Sequence, residues 1–467
     1  MKRFTVLSMV MLLIVGLLSG CAQPEPEVAA PDAPSDEIIT LRIYAQYSDD
    51  DSKVPFDYAV EQLAIAFPNV KLELDIQAQD DGMKLQTYAA TGNLPDIFQV
   101  GLSQIETFKE SGNIMVLNDV AKRTGFLDRA YPTADNIIFN EDGNIYAFPY
   151  AGNELVLWYY NKALFEQYNV KVPETFDELL TAIKVFNEND IIPMSIFAKE
   201  KWITTAMYDV LATRFDPAGI TKLDSGEAKA SDEPFTKAAE ALNQLVKAGM
   251  FAEGATNTNY DQAAALFYEG KAAMFLNGQW EIASSTEKLG ENVDWMWYPT
   301  MPGYEANRFA VSGGGAPGGF AVSPHSEHKE LAAEVAAFIA EKYSEARFKF
   351  RGSPINAVQI DPSIQPVTPF PPMMQRLAEE MKNITSTTKF AWGLSNPLFK
   401  VAIEDQSQFL MTPEYTPAEL TLANQEPEQL GNKLTQLWPQ LDDTALSNRL
   451  AQVMFVAELW GQVNANS

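Results

Sequence analysis

Between Ile39 and Ile76 the hydrophobic period changes twice. Ile39, Leu41 and Ile43 alternate with more polar neighbours, which is the period of a strand. Phe56, Val60, Leu63 and Phe67 then follow at helical spacing, and Pro68-Asn69 breaks that helix. Val70, Leu72, Leu74 and Ile76 alternate again, with Lys71, Glu73 and Asp75 between them. Strand, helix, strand predicts a parallel βαβ unit, and so an α/β chain. The pattern continues. A helical stretch from Met83 to Ala90 leads to the turn and short strand Gly92-Asn93-Leu94-Pro95-Asp96-Ile97-Phe98. The apolar run Leu155 to Tyr160 precedes a helix opened by Thr175 and Glu178, a capping-box pair, with Phe176, Leu179, Ile183 and Phe186 on its inner face. Leu331, Val335, Phe338 and Ile339 mark another amphipathic helix, and Asp361 to Pro372 is a proline-rich connector.

The amino terminus says where such a chain is expected to work. Lys2 and Arg3 precede an almost wholly apolar run, Phe4 to Leu18, shorter than the roughly 20 residues that span a bilayer. The run closes on Leu18-Ser19-Gly20-Cys21, which resembles a bacterial lipoprotein signal. The resemblance implies removal of residues 1–20 and lipidation of Cys21, the only cysteine in the chain. Residues 21–37, with four prolines and several acids, read as a flexible tether. The expected location is extracytoplasmic, held to a bacterial membrane by that lipid. At 467 residues the chain is long enough for two domains or one large bilobed one. Its formal charge of -28 repels phosphate backbones and argues against nucleic acid as a partner.

The ordered blocks Gly92-Asn-Leu-Pro-Asp-Ile-Phe, Asn144-Ile-Tyr-Ala-Phe-Pro, Tyr160-Asn-Lys, Pro173-Glu-Thr-Phe-Asp-Glu-Leu, Phe267-Tyr-Glu-Gly-Lys-Ala-Ala-Met, Asn277-Gly-Gln-Trp and Gly313-Gly-Gly together resemble the family-1 extracellular solute-binding proteins of ABC importers, the maltose-binding-like group. The resemblance covers roughly residues 38 to 423. It implies a two-lobed, class II periplasmic-binding-protein-like fold whose hinge is crossed several times. Residues 38–148 and 300–350 would form lobe 1, and residues 149–299 and 351–423 lobe 2. Residues 424–467 extend past the family pattern and read as an added helical pair. The implied function is a monomeric receptor that closes on a sugar or oligosaccharide and delivers it to the importer's membrane permease subunits, with no cofactor. The alternatives are a secreted carbohydrate-active enzyme and a sensory binding protein for another solute.

A sugar presents hydroxyls at its edge and C–H patches on its faces, so its site wants aromatic faces and short polar groups. With eight tryptophans, the chain has the material. The family match puts Trp280, in Asn277-Gly278-Gln279-Trp280, and Trp392, in Phe390-Ala391-Trp392-Gly393, at the cleft; Gly278 would let backbone approach the ligand. Trp202, beside Lys199-Glu200-Lys201 at a helix start, either faces the ligand or staples the helix. Gln46 and Asp49 lie at the end of the first strand, where Asp49 either reaches ligand or caps the following helix. Asn153 and Glu154 sit beside the first hinge crossing, and Gln279 precedes Trp280. Asp96 either binds ligand or holds a turn. The backbone of Gly314 and Gly315 is expected at the cleft rim. Trp295 and Trp297 read as packing. No metal or catalytic centre is expected: Asp49-Asp50-Asp51 lacks the rest of a calcium loop, His325 and His328 lack a third ligand, and neither a nucleophile elbow nor a phosphate-binding loop appears.

Overall fold

The computed structural model of the protein describes residues 38–80, 82–131, 134–315 and 318–412. The signal, Cys21, the tether and the extension 424–467 lie outside the described residues.

Two four-stranded sheets organise the chain. The first has the order β2-β1-β3-β9, with β1 at Ile39–Ala45, β2 at Val70–Ile76, β3 at Ile97–Val100 and β9 at Gly319–Val322. β1 runs parallel to β2 from Ile39 opposite Val70 to Ala45 opposite Ile76, and parallel to β3 on its other side. β9 closes the sheet antiparallel to β3. The helix Asp50–Ala66 connects β1 to β2, as the two changes of period require. One face of the sheet packs Leu41, Ile43 and Val70 with Phe56, Ala59 and Leu63 of that helix and with Val335, Ala336 and Ile339 of the long helix Lys329–Phe350. The other face packs Tyr44, Phe98 and Val100 against Leu85, Ile105 and Phe108. A strand covered on both faces reads as continuously apolar, which is why β3 is buried at every position. β2, at the edge, buries Val70 and leaves Ile76 half exposed.

The second sheet has the order β5-β6-β4-β7, from Val156–Asn161 (β4), Ile192–Ser195 (β5), Ala272–Gly278 (β6) and Val293–Met296 (β7). β4 is antiparallel to both β6 and β7, and β5 is parallel to β6. Its core takes Leu179, Ile183 and Phe186 from the helix Phe176–Glu188, whose capping box forms between Thr175 and Glu178. Trp295 is buried there, its indole donating to the Met373 carbonyl at 3.2 Å. A short parallel pair, Ala310–Val311 (β8) with Ser386–Thr387 (β10), lies beside this lobe.

The backbone passes between the sheets three times. It leaves the first at Phe148, bridged to Phe320, and enters the second at Leu155, bridged to Gly313; the return runs between Gly313 and Gly319. A third passage follows the long helix. There Gly152 donates to the Ile355 carbonyl at 3.1 Å, and a Cβ on Gly152 would lie 2.9 Å from the Ile355 side chain. Packing places two segments differently from the expected lobe limits. Met301 and Val311 belong to the second core, because β8 pairs with β10. Ala357 and Val358 belong to the first, because Val358 bridges to Ala130.

Candidate functional site

The three parallel strands of the first sheet end at one rim. β1 leads to Gln46, Ser48, Asp49, Asp51 and Ser52, β2 to Gln77 and the three residues after it, and β3 to Gln99, Gly101 and Gln104, all lining a cleft of about 510 Å³. Loops after the C-terminal ends of parallel strands are where open α/β sheets place ligands. The opposite wall comes from the second lobe: Glu200, Trp202, Tyr260, Trp280, Trp392 and Glu404. Tyr150, Glu154, Tyr343 and Arg347 line the floor between them, near the hinge.

The three tryptophans singled out in the sequence meet in this wall. The Trp202 ring centre lies 5.3 Å from that of Trp392 and 5.9 Å from that of Trp280, and Trp280 and Trp392 are 6.2 Å apart. Phe390 stacks beneath Trp392 at 4.4 Å and 6°. Each ring arrives from a different element. Trp202 opens the helix Lys201–Phe215, Trp280 follows β6, and Trp392 sits in the short turn Ala391–Gly393. Gly278 serves Trp280 rather than a ligand: a Cβ there would lie 2.2 Å from the indole, so the missing side chain makes room for the ring.

Buried carboxylates hold these pieces. Asp224 accepts from Lys389 Nζ, from the Ser395 amide and hydroxyl, and from the Asn396 amide, pinning both ends of the segment that carries Trp392. Asp209 accepts from Ser312 Oγ, Thr388 Oγ1 and the Ile220 amide, joining a hinge strand to the same segment. Burial pushes the Asp209 carboxyl up to about 6 despite these bonds. Glu281, next to Trp280, accepts from Tyr260, Tyr268, Ser285 and Asn277, and burial pushes its carboxyl up to about 7.

Two contacts bring the lobes together around the cleft. Asp51, on the first-lobe helix, accepts from Arg351 Nε at 2.7 Å and from Ser284 Oγ, on the second-lobe helix Glu281–Leu289, at 3.3 Å. Arg351 also donates to Ser284 Oγ at 2.9 Å. Near the mouth, Gly101 lies against Trp392; a Cβ there would come within 2.4 Å of the Trp392 carbonyl oxygen. In the floor, Pro55 cannot donate to the Asp51 carbonyl, and the Tyr343 hydroxyl does so at 3.4 Å. Burial raises the Tyr150 hydroxyl to about 12, with Glu154 adding to the shift.

Of the residues selected from sequence, Trp202, Trp280, Trp392, Gln46, Asp49 and Glu154 line the cleft. Asp49 is also the helix N-cap, its carboxylate accepting from the Ser52 amide at 2.9 Å. Glu154 pairs with Arg347. The other five are not among its lining residues. Asp96 stands at the start of β3, the far end from the cleft, and accepts from the Arg42 amide at 2.8 Å and from Ser326 Oγ. Gln279 is fully buried and ties the hinge to β6, accepting from the Leu155 amide at 2.7 Å and donating to the Asn153 carbonyl at 3.4 Å. The Asn153 side chain faces Asn136. A Cβ on Gly314 would strike the Thr388 carbonyl oxygen, and one on Gly315 would strike Ile137 and Asn153, so close packing already requires glycine at both positions. The sequence reading missed Gln77, Gln99, Tyr150, Tyr260 and Arg347. The strand-end rule reaches the first two; the others are brought in by helices and the hinge.

A family model for bacterial extracellular solute-binding proteins matches residues 50–343. The chain belongs to this family. Among individual relatives of this solute-binding protein, the melibiose/raffinose/stachyose-binding protein MelE of Bacillus subtilis is 27% identical over 291 residues, 60% of this chain. The ABC transporter extracellular-binding protein PH1214 of Pyrococcus horikoshii is 26% identical over 285 residues, 58% of this chain. The match spans 63% of the length of each of these two curated relatives. A solved structure from work on xylan utilization by the thermophilic bacterium Caldanaerobius polysaccharolyticus is 26% identical, with a TM-score of 0.71, over 85% of this chain and 100% of that one. The family is one of binding proteins, and its two-lobed fold is the one described above. Among the described residues no helix is long and apolar enough to cross a membrane, and no group of three or more His, Cys, Asp and Glu side chains is placed to hold a metal ion.

Proposed function

We propose that this protein is an extracytoplasmic receptor that closes its two lobes on a sugar or oligosaccharide and presents the closed form to the permease subunits of an ABC importer. One observation carries the reading: three tryptophans from separate elements converge on one wall of an interlobe cleft whose facing wall is amide-rich. Aromatic faces suit the C–H side of a pyranose, and amides suit its hydroxyl edge. MelE, which carries melibiose, raffinose and stachyose in its name, supports the class of ligand. The cleft holds its ligand without chemistry, and the protein works as a monomer tethered through a lipid on Cys21.

The direct test is calorimetry of the mature chain against mono- to tetrasaccharides of galactose, glucose, xylose and N-acetylglucosamine. Micromolar or tighter binding, with the sugar recovered unchanged, is the expected result. Product accumulating with time would replace the receptor with an enzyme. Cys21→Ala should move the protein from the membrane fraction to the soluble one.

A further inference from the structure

The charged residues of the cleft do not balance. Seven carboxylates line it against three cations, Lys199, Arg347 and Lys400. Two of those cations already have partners. Arg347 pairs with Glu154, and Lys400 with Glu404 at 2.6 Å. A third lining carboxylate, Asp51, is answered by Arg351 from behind the wall. That leaves Asp49, Asp80, Glu200 and Asp261 facing the cleft, with Lys199 as the remaining cation among the described lining residues. Asp49 and Asp80 accept from backbone amides, which holds their carboxylates in place at the rim. Glu200 shows what that environment does to a further negative charge. Its carboxyl is raised, first by burial and then, in part, by the charges of Asp261 and Asp49.

A second observation lies on the first-lobe wall. Five glutamines line it: Gln46, Gln77, Gln79, Gln99 and Gln104. Gln99 is only 4% exposed, and its Oε1 accepts from the Gln46 amide at 2.6 Å, which fixes the orientation of the side-chain amide. Its Nε2 is left without a hydrogen-bond partner, and so is Oε1 of Gln77. The two residues lie at the ends of β3 and β2, on either side of Gln46, which follows β1. A buried polar atom without a partner is costly, so an unpartnered donor and an unpartnered acceptor on residues that line a binding cleft point to ligand groups able to satisfy them. Ligand hydroxyls can accept from Gln99 and donate to Gln77, and they carry no charge. A carboxylate can only accept. It would also need a cation; the one arginine in the lining is already engaged, and the Lys199 ammonium stands against four carboxylates.

We infer that the cleft selects its saccharide by charge, taking neutral or amino-bearing sugars and rejecting acidic ones, with Gln77 and Gln99 reading its hydroxyls. The inference rests on the sugar reading above and sharpens it. A uronate would bring its charge among four carboxylates between two protein walls, where like charges repel more than in bulk water. A protonated amine would meet the opposite field.

The test uses matched di- and trisaccharides of glucose and galactose in neutral, N-acetylated, amino and uronate forms, titrated calorimetrically into the mature chain at pH 7. The neutral form of whichever series binds should outcompete its uronate by roughly 100-fold or more, and the amino form should bind at least as tightly as the neutral one. Uronate binding within threefold of the neutral sugar, or binding of uronates only, overturns the inference and leaves the receptor reading standing. Binding of no sugar in any series removes the sugar reading, and the inference with it. Two variants locate the effect. The double variant Glu200→Gln/Asp261→Asn should narrow the neutral-to-uronate ratio at least tenfold. Gln99→Glu keeps an acceptor for the Gln46 amide but turns the donor into an acceptor, so it should weaken neutral sugars tenfold and shift preference toward amino sugars. An unchanged amino-to-neutral ratio in that variant, with melting temperature preserved, counts against Gln99 as a ligand contact.

Discussion

The two walls of the cleft are built in different ways. The first-lobe wall is made of loops that leave three neighbouring parallel strands at the same end, so its side chains are placed by the ladder: Gln46 follows β1, Gln77 follows β2, and Gln99 closes β3. The second-lobe wall has no such scaffold. Trp202, Tyr260, Trp280 and Trp392 come from segments up to 190 residues apart, and buried carboxylates such as Glu281 and Asp224 tie those segments together. A wall on a sheet edge inherits its rigidity. A wall gathered from helix starts and turns depends on a few polar anchors, and it should break when they are removed.

The largest effects should therefore come from the aromatic wall. Replacing Trp280 with alanine removes a stacking face in a desolvated pocket and should cost sugar binding about 2–3 kcal/mol, roughly 30- to 150-fold. The check is calorimetry with the tightest sugar of the panel. A loss below threefold would mean that the ring packs the lobe and does not meet the ligand. Asp224→Ala comes next. It strands the Lys389, Ser395 and Asn396 donors in the interior and should destabilise the fold by about 3 kcal/mol, read as a lower urea midpoint, with weaker sugar binding as Trp392 loosens. An equivalent anchor removed from the first wall, Asp80→Ala, should change the midpoint by less than about 1 kcal/mol, since the ladder still holds the loop.

Glu281 supplies a pH test of the same contrast. Its folded carboxyl sits at about 7, above the unfolded value of 4.5. The neutral form is favoured by folding, so this stabilisation is fully present below about 4.5 and is lost as pH rises through 7. The loss is on the order of 2–3 kcal/mol. Glu281→Gln should flatten that fall, so that the stability gap between variant and parent widens in the variant's favour from pH 5 to pH 8. A gap independent of pH would show that the carboxylate stays ionised. The smallest effect should be that of Ser284→Ala, which removes two bonds, one donated to Asp51 and one accepted from Arg351, while Arg351 still holds Asp51. A loss of about 0.5–1 kcal/mol of closure, some two- to fivefold in affinity through a faster off-rate, is expected.

Much of the second wall was legible as chemistry but not as geometry. Tryptophan in a polar stretch at a helix start, or after a strand and a glycine, marks a ring that a simple core would not need, and Trp202, Trp280 and Trp392 were singled out on that ground and on family likeness. That the three rings meet depends on Asp209 and Asp224, which draw on Ser312, Thr388 and Ser395, each more than 100 residues away. The errors have equally local causes. Asp96 and Gln279 are polar residues beside family blocks, and sequence does not say at which end of its strand a side chain will point into solvent. Gln279 turned inward because the Leu155 amide, crossing the hinge, needed an acceptor. At Gly314 and Gly315 the missing side chains admit the Thr388 backbone and the Ile137 side chain, close approaches that no local pattern announces.

What the sequence determined alone was the alternation of strand and helix, since hydrophobic period is a local property that each segment carries with it: Leu41 and Ile43 reach a core through any fold that keeps β1 a strand. It also determined the supply of aromatic and amide groups. The tertiary structure decided which of them share a cleft. A carboxylate such as Asp224 has no stable place in the interior until Ser395 and Asn396 arrive to donate to it, and those donors exist as a set only once the lobe has closed around them.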